Sequence, residues 1–239
     1  MIDAEPSAHP PTSSTRTAPR PFTGLVYFDP HEAAIVAAAV ARLIPTDEHG
    51  PGAAEADVLR FIDRQLATGT AFRGKRYGLG PFLPGRSTQG DQSDLDVRGR
   101  FRLGIAAMEA CARVLYQTSF ASLAPEHQDR ILGDMEVGIR AVDDDPAIQA
   151  FPPGQPDANE ADAGAKAFFE ILLAYTQAGY FADPIHGGNR DMVGWKLIGF
   201  PGAPMGGYAA AIELHGEPWV GEPTSLADVQ ARAESGAER

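Results

Sequence analysis

Between Val97 and Thr118 apolar residues recur at Phe101, Ile105, Met108, Ala112 and Leu115, in steps of four, three, four and three. That spacing places all five on one stripe of an α-helix, whereas a strand would scatter them over both faces. The same rhythm returns elsewhere. Asp29, Pro30 and Glu32 spell a helix start, with a capping carboxylate, a proline suited to the first turn and an acid three residues after the cap. Ile35, Val36, Ala39, Val40 and Leu43 follow at helical spacing, and Pro45 limits the continuation. A second helix is expected over Ala54 to Leu66, with Val58, Leu59, Ile62 and Leu66 on one face. Pro125 opens a fourth through Ile131, Leu132 and Met135. A fifth is expected from about Asn159, its cap, to Ala178, with Phe168, Phe169, Leu172, Leu173 and Thr176 inward. Five such helices without a series of strands predict an all-α fold, a single helical domain with long irregular loops and extended termini.

The expected organisation is a disordered or extended arm over 1–24, a helical domain over 25–210 and a polar tail over 211–239, in which Ser225 to Ala233 could form one short exposed helix. The arm is rich in proline, serine and threonine. It shows no apolar signal core and no twin-arginine pair, and no window reaches the roughly 20 apolar residues of a membrane span. A cytoplasmic chain without a direct membrane span is therefore expected. The formal charge of −12 argues against a nucleic-acid partner, since an acidic surface repels phosphate backbones. Cys111 is the sole cysteine, which excludes an intrachain disulfide, a four-cysteine cluster and c-type haem attachment. Its place in an apolar helical pattern marks it as core.

Two stretches escape helical periodicity. Residues 67–97 hold Gly74, Gly78, Gly80, Pro81, Pro84, Gly85 and Gly90, a long connection of the kind that is functional, mobile or laid over a partner. The second is "DPIHGGNRDMVGWKLIGFPGAPMGGY", Asp183–Tyr208. Its glycines miss the dinucleotide spacing, and in "GLGPFLPG" Leu83 stands where the third glycine would be, so the glycines are expected in turns or in close backbone approach. Asp183, His186 and Asp191 could meet around a metal, which would make this a self-sufficient helical metal-dependent enzyme. Short loop Asp and His residues more often bind backbone N–H groups. Glu109, Glu136 and Glu170 are helical carboxylates that could face one another, although most such residues are solvated. No hydrolase nucleophile motif occurs. Docking is the third reading: Trp195, Phe200, Met205, Tyr208 and Trp219 are large groups of the kind enriched at interfaces. From the residues alone, packing on this chain's own helices and packing on a partner stay equally open.

Several motifs in order resemble the gluconate 2-dehydrogenase subunit 3 family. They are Phe28 and Glu32, "LIPTD" (Leu43–Asp47), "GPGA" (Gly50–Ala53), "FID" (Phe61–Asp63), "YGLGPF" (Tyr77–Phe82), "FRLGIAAMEA" (Phe101–Ala110) and "FFEILLAYTQAGYFADPIHGGNRDMVGWKLIGFPGA" (Phe168–Ala203). The resemblance spans roughly residues 27–210. It implies a non-catalytic small subunit that binds, stabilises and helps mature an FAD-dependent, glucose–methanol–choline-type sugar or glycoside dehydrogenase. On this reading the chain has no cofactor, metal or catalytic residue of its own, FAD sits in the partner, and some complexes add a cytochrome c subunit. A transient flavoprotein chaperone is the related alternative. Many members begin with a twin-arginine signal, which this chain does not show; a periplasmic location is then expected only if the partner carries the export signal. The expected interface residues are Asn189, Asp191, Trp195, Phe200, Met205 and Tyr208, with Trp195 and Phe200 as anchors.

Overall fold

The computed structural model describes residues 24–68, 95–138, 158–203, 216 and 221–237. Among the described residues seven α-helices run in chain order: α1 (Pro30–Leu43), α2 (Val58–Ala67), α3 (Val97–Tyr116), α4 (Pro125–Val137), α5 (Ala158–Phe181), α6 (Val193–Ile198) and α7 (Leu226–Ala237). The fold is all-α. Among the described residues there is no strand; isolated bridges join Asp47 to Gly50 and Gly202 to Thr224. The expected N-terminal arm and nearly all of the irregular 67–97 segment, including Gly78, Gly80 and Leu83, lie outside the described residues.

α1 forms as its first turn requires. The Asp29 carboxylate accepts from the backbone N–H groups of His31 and Glu32, and Glu32 reaches back to the Asp29 N–H. Its buried face is Ala33, Ile35, Val36, Ala39 and Val40. α2 starts four residues later than the periodicity from Ala54 suggests. Residues 53–57 form turns instead, and Asp57 adopts a left-handed φ of 57° immediately before Val58. One left-handed residue breaks the α-helical ladder without disturbing the apolar spacing, so the pattern cannot register it. α5 extends three residues beyond Ala178, and helical structure resumes at α6, where irregular chain was expected.

α5 is the spine, packing against α1, α2, α3, α4 and α6. Its Phe168 is seated on Gly104 of α3, where any Cβ would overlap the ring. Phe101 meets Phe168 edge to face at 5.6 Å and 88°, and Tyr175 at 5.6 Å and 69°. Ile35, Ile62, Leu66, Met108, Ile131 and Leu172 complete a core drawn from α1 to α5. Full burial of each such side chain contributes roughly 1.5–3 kcal/mol, before conformational entropy is set against it. Cys111 is partly buried against this core.

A buried carboxylate fixes the entry of the chain into the core. Asp63 of α2 is fully buried and accepts the N–H of Val26 at 2.7 Å and those of Tyr27 and Phe28 at 2.9 Å. Burying a charge is unfavourable unless it is hydrogen-bonded, and three backbone donors supply that compensation. Arg98 closes the other end of α2, donating to the carbonyls of Leu66 at 2.6 Å and of Ala67 and Thr68 at 3.1 Å, where the helix dipole favours a cation. Arg102 lies 4.5 Å from the Tyr27 ring centre and pairs with Glu32.

On α3, burial alone would push the Glu109 carboxyl up, but the Phe120 N–H, the Ser119 hydroxyl and Arg113 together hold it below its ordinary range. A lowered folded-state value means that the stabilisation is complete above the ordinary value near 4.5 and is lost as pH falls through the folded one. Glu109→Gln should therefore be less stable than the wild type at pH 7 in urea titrations, with the gap closing on acidification below about pH 4. Asp63→Ala leaves three backbone donors unpaired, and should lower the unfolding free energy by about 3 kcal/mol or more in the same assay.

Candidate functional site

The 183–203 stretch folds over the last turn of α5 and is held there by its own polar groups. Asp183 divides its carboxylate: one oxygen accepts the Ile185 N–H at 3.0 Å and caps a 3-10 turn over Pro184–His186, and the other accepts the Leu226 N–H at 2.9 Å at the start of α7. At Gly188 and Gly194 the stretch lies directly on the helix. A Cβ at Gly188 would overlap the Gly179 carbonyl oxygen, and one at Gly194 the Tyr180 carbonyl oxygen. No residue but glycine permits that approach.

Asn189 sits between these glycines, fully buried, with a left-handed φ of 48°. Its side-chain amide donates to the Ala182 carbonyl at 2.9 Å and its oxygen accepts the Gly194 N–H at 2.8 Å. One side chain thus bolts the end of α5 to the start of α6. The Arg190 N–H donates to the Ala56 carbonyl at 3.0 Å, and its guanidinium pairs with Asp57, tying the same corner to α2. Asp191 and Met192 follow, also left-handed, with φ of 56° each. Left-handed backbone costs about 1–2 kcal/mol in a residue with a Cβ, so this corner is held by the bonds around it.

α6 begins there and turns Trp195 inward. Trp195 is 5% exposed, donates its indole N–H to the Phe181 carbonyl at 2.7 Å and meets the Phe200 ring edge to face at 5.1 Å. Beyond it, Ala203 N–H donates to Thr224 at 2.7 Å and Thr224 N–H to Pro201 at 3.0 Å, so residues just before α7 pair with the end of the stretch. Lys196 pairs with Glu222 at 3.1 Å.

The candidate chemical residues are placed as follows. Both Asp183 oxygens are engaged by backbone N–H groups, while His186 and Asp191 are exposed. Among the described residues no three His, Cys, Asp or Glu side chains converge as a metal site would need. Glu109 is bound to Ser119, Phe120 and Arg113, and Glu136 and Glu170 are exposed. The space a Cβ would take at Gly187, Gly188 and Gly194 is bounded by Arg64, Gly179 and Tyr180. These glycines serve close approach within the chain.

Of the residues expected at a partner surface, Asn189 and Trp195 are enclosed within this chain, Asp191 and Phe200 reach solvent, and Met205 and Tyr208 lie outside the described residues. The structure adds a group that sequence reasoning passed over. Phe181, Ile185, Leu197, Ile198 and Leu226 are exposed large apolar side chains on the segments that surround Trp195. The available signal was "VGWKLI" (Val193–Ile198), a short helix with large apolar groups on more than one face, the pattern of a helix covered on more than one side.

A family model described as Gluconate 2-dehydrogenase subunit 3 matches residues 30–202. No curated protein and no solved structure gives a significant match.

Because Trp195 is internal to the isolated chain, Trp195→Ala should destabilise it by about 3–5 kcal/mol, read as a loss of urea midpoint in the absence of any partner. Met192→Gly should act the other way. Relief of left-handed strain outweighs the entropy of the added glycine, and a gain of up to about 1 kcal/mol is expected in the same titration.

Proposed function

We propose, from the premise that this chain belongs to the gluconate 2-dehydrogenase subunit 3 family, that it is a non-catalytic small subunit. Its role is to bind, stabilise and help mature an FAD-dependent sugar or glycoside dehydrogenase. The family is one of dehydrogenase subunits, so the chain works in a complex with other subunits. The observation that carries the finer reading is the use of the polar residues in the family's most distinctive stretch. Asp183 and Asn189 bind backbone N–H and carbonyl groups, Arg190 binds Asp57, and Trp195 donates to Phe181, while large apolar side chains point to solvent. Such a segment has the chemistry of a shaped brace. The flavin, the catalytic base and the substrate pocket then belong to the companion, a flavoprotein of the glucose–methanol–choline type.

The benefit of such a subunit is thermodynamic linkage. A protein that binds only the folded flavoprotein raises its stability by mass action, by about 2.7 kcal/mol when present at a hundred times its dissociation constant. The same preference draws a folding, flavin-loading chain toward its native state. Co-expression of the flavoprotein with and without this chain tests the proposal. Soluble, flavin-loaded enzyme should rise several-fold when the chain is present, and both should elute in one size-exclusion peak. Equal yields without co-elution would contradict it, and a raised yield with separate elution would mark a transient chaperone instead.

A further inference from the structure

We propose that the outward ridge of α6, Leu197, Ile198 and the following Phe200, together with Phe181, Ile185 and Leu226, is the face that docks on the catalytic flavoprotein. The inference rests on the functional reading above and names its surface. Leu197 is 47% exposed, Ile198 59% and Phe200 39%. The six belong to segments held by two groups, the buried Trp195 and the half-buried Asp183. Phe181 lends its carbonyl to the Trp195 indole, Phe200 packs on the Trp195 ring, and Ile185 and Leu226 share the carboxylate of Asp183. A six-residue helix could not hold Leu197 and Ile198 exposed in water by its own propensity. Here it is fixed from beneath by Trp195, Gly194 and Asn189. The side chains are thus presented on a preorganised support, which reduces the ordering cost of association.

Charge decides among the occupants. Residues 181–203 carry two carboxylates, Asp183 and Asp191, against two cations, Arg190 and Lys196, within a chain of net charge −12. Asp183 is engaged by backbone, Arg190 by Asp57 and Lys196 by Glu222. With Glu222 and Asp228 flanking Leu226, carboxylates outnumber the two cations around the face, and both cations are already paired within the chain. An anionic lipid surface would repel the whole and gain no cationic contact. A companion subunit with an apolar, weakly charged face suits it, since the centres of stable interfaces are depleted in charge and rich in aromatic and apolar anchors.

The test uses the full chain and the co-expressed flavoprotein, with the double variant Leu197→Glu/Ile198→Glu and a control, Leu103→Glu, at an exposed apolar position on α3. Circular dichroism and the urea midpoint of each isolated variant establish that it folds. Should the double variant fail to fold, the single variant Ile198→Asp, at the most exposed position of the ridge, takes its place. The dissociation constant should rise about thirtyfold or more for the ridge variant and stay within about twofold of the wild type for the control. Unchanged affinity in the ridge variant would overturn the surface while leaving the subunit reading intact. No binding by the wild-type chain would overturn both. Equal weakening by Leu103→Glu, ridge-dependent self-association of the isolated chain, or its ridge-dependent binding to phosphatidylcholine–phosphatidylglycerol vesicles would each reassign the face.

Discussion

The contact of Gly188 and Gly194 with the carbonyl oxygens of Gly179 and Tyr180 is the constraint on which the 183–203 region depends. With the two backbones this close, Asn189 can reach Ala182 with one end of its amide and Gly194 with the other. Those bonds fix where α6 begins, and hence that Trp195 turns inward against Phe181. The outward direction of Leu197 follows from the same placement, because a residue two positions on lies about 200° round the helix from Trp195, and Ile198 is exposed as the last residue of α6. A methyl group at either glycine would separate the layers and break this sequence of dependencies at its first step.

The rest of the fold supplies a rigid base for that contact. α5 is the common neighbour of α1 to α4, and its Phe168 and Tyr175 close on Phe101. The last turn of α5 is therefore anchored before the glycine stretch meets it. Asp63 performs a similar task at the other end of the chain, collecting three successive N–H groups so that Phe28 enters the core. The left-handed backbone of Asp191 and Met192 opposes the arrangement by about 1–2 kcal/mol per residue. It persists because Arg190 is held by both Ala56 and Asp57, and Asn189 by two further bonds. Rigidity of this kind suits the proposed bracing role.

Much of this was legible in the residues. The capping box at Asp29 and Glu32, the four-three steps of Phe101 to Leu115 and the proline at 125 announced three helices, because each signal is local and repeated. The spacing of the glycines fails the phosphate patterns and points to turns or to close backbone approach, the use found at Gly188 and Gly194. Other features depend on distant partners and leave no local trace. The left-handed turn at Asp57 shortened α2, and six residues are too few for α6 to display a period. Asp183 read as a possible metal ligand because nothing near it in sequence shows that Leu226 takes its second oxygen. Composition marked Trp195 as a large group able to anchor something, but only the position of the Phe181 carbonyl shows that it anchors this chain to itself.

The central claim is that the 189–195 brace is formed in the subunit alone and offers an existing surface to its companion. Amide hydrogen exchange across these residues, with and without the flavoprotein, tests it directly. The account predicts that the Gly194 amide, bonded to the buried Asn189 side chain, is already strongly protected in the isolated chain, and that adding the flavoprotein changes its protection little. Exchange of that amide at the rate of an unstructured peptide until the flavoprotein is added would show that the brace forms only on binding, and would contradict the account.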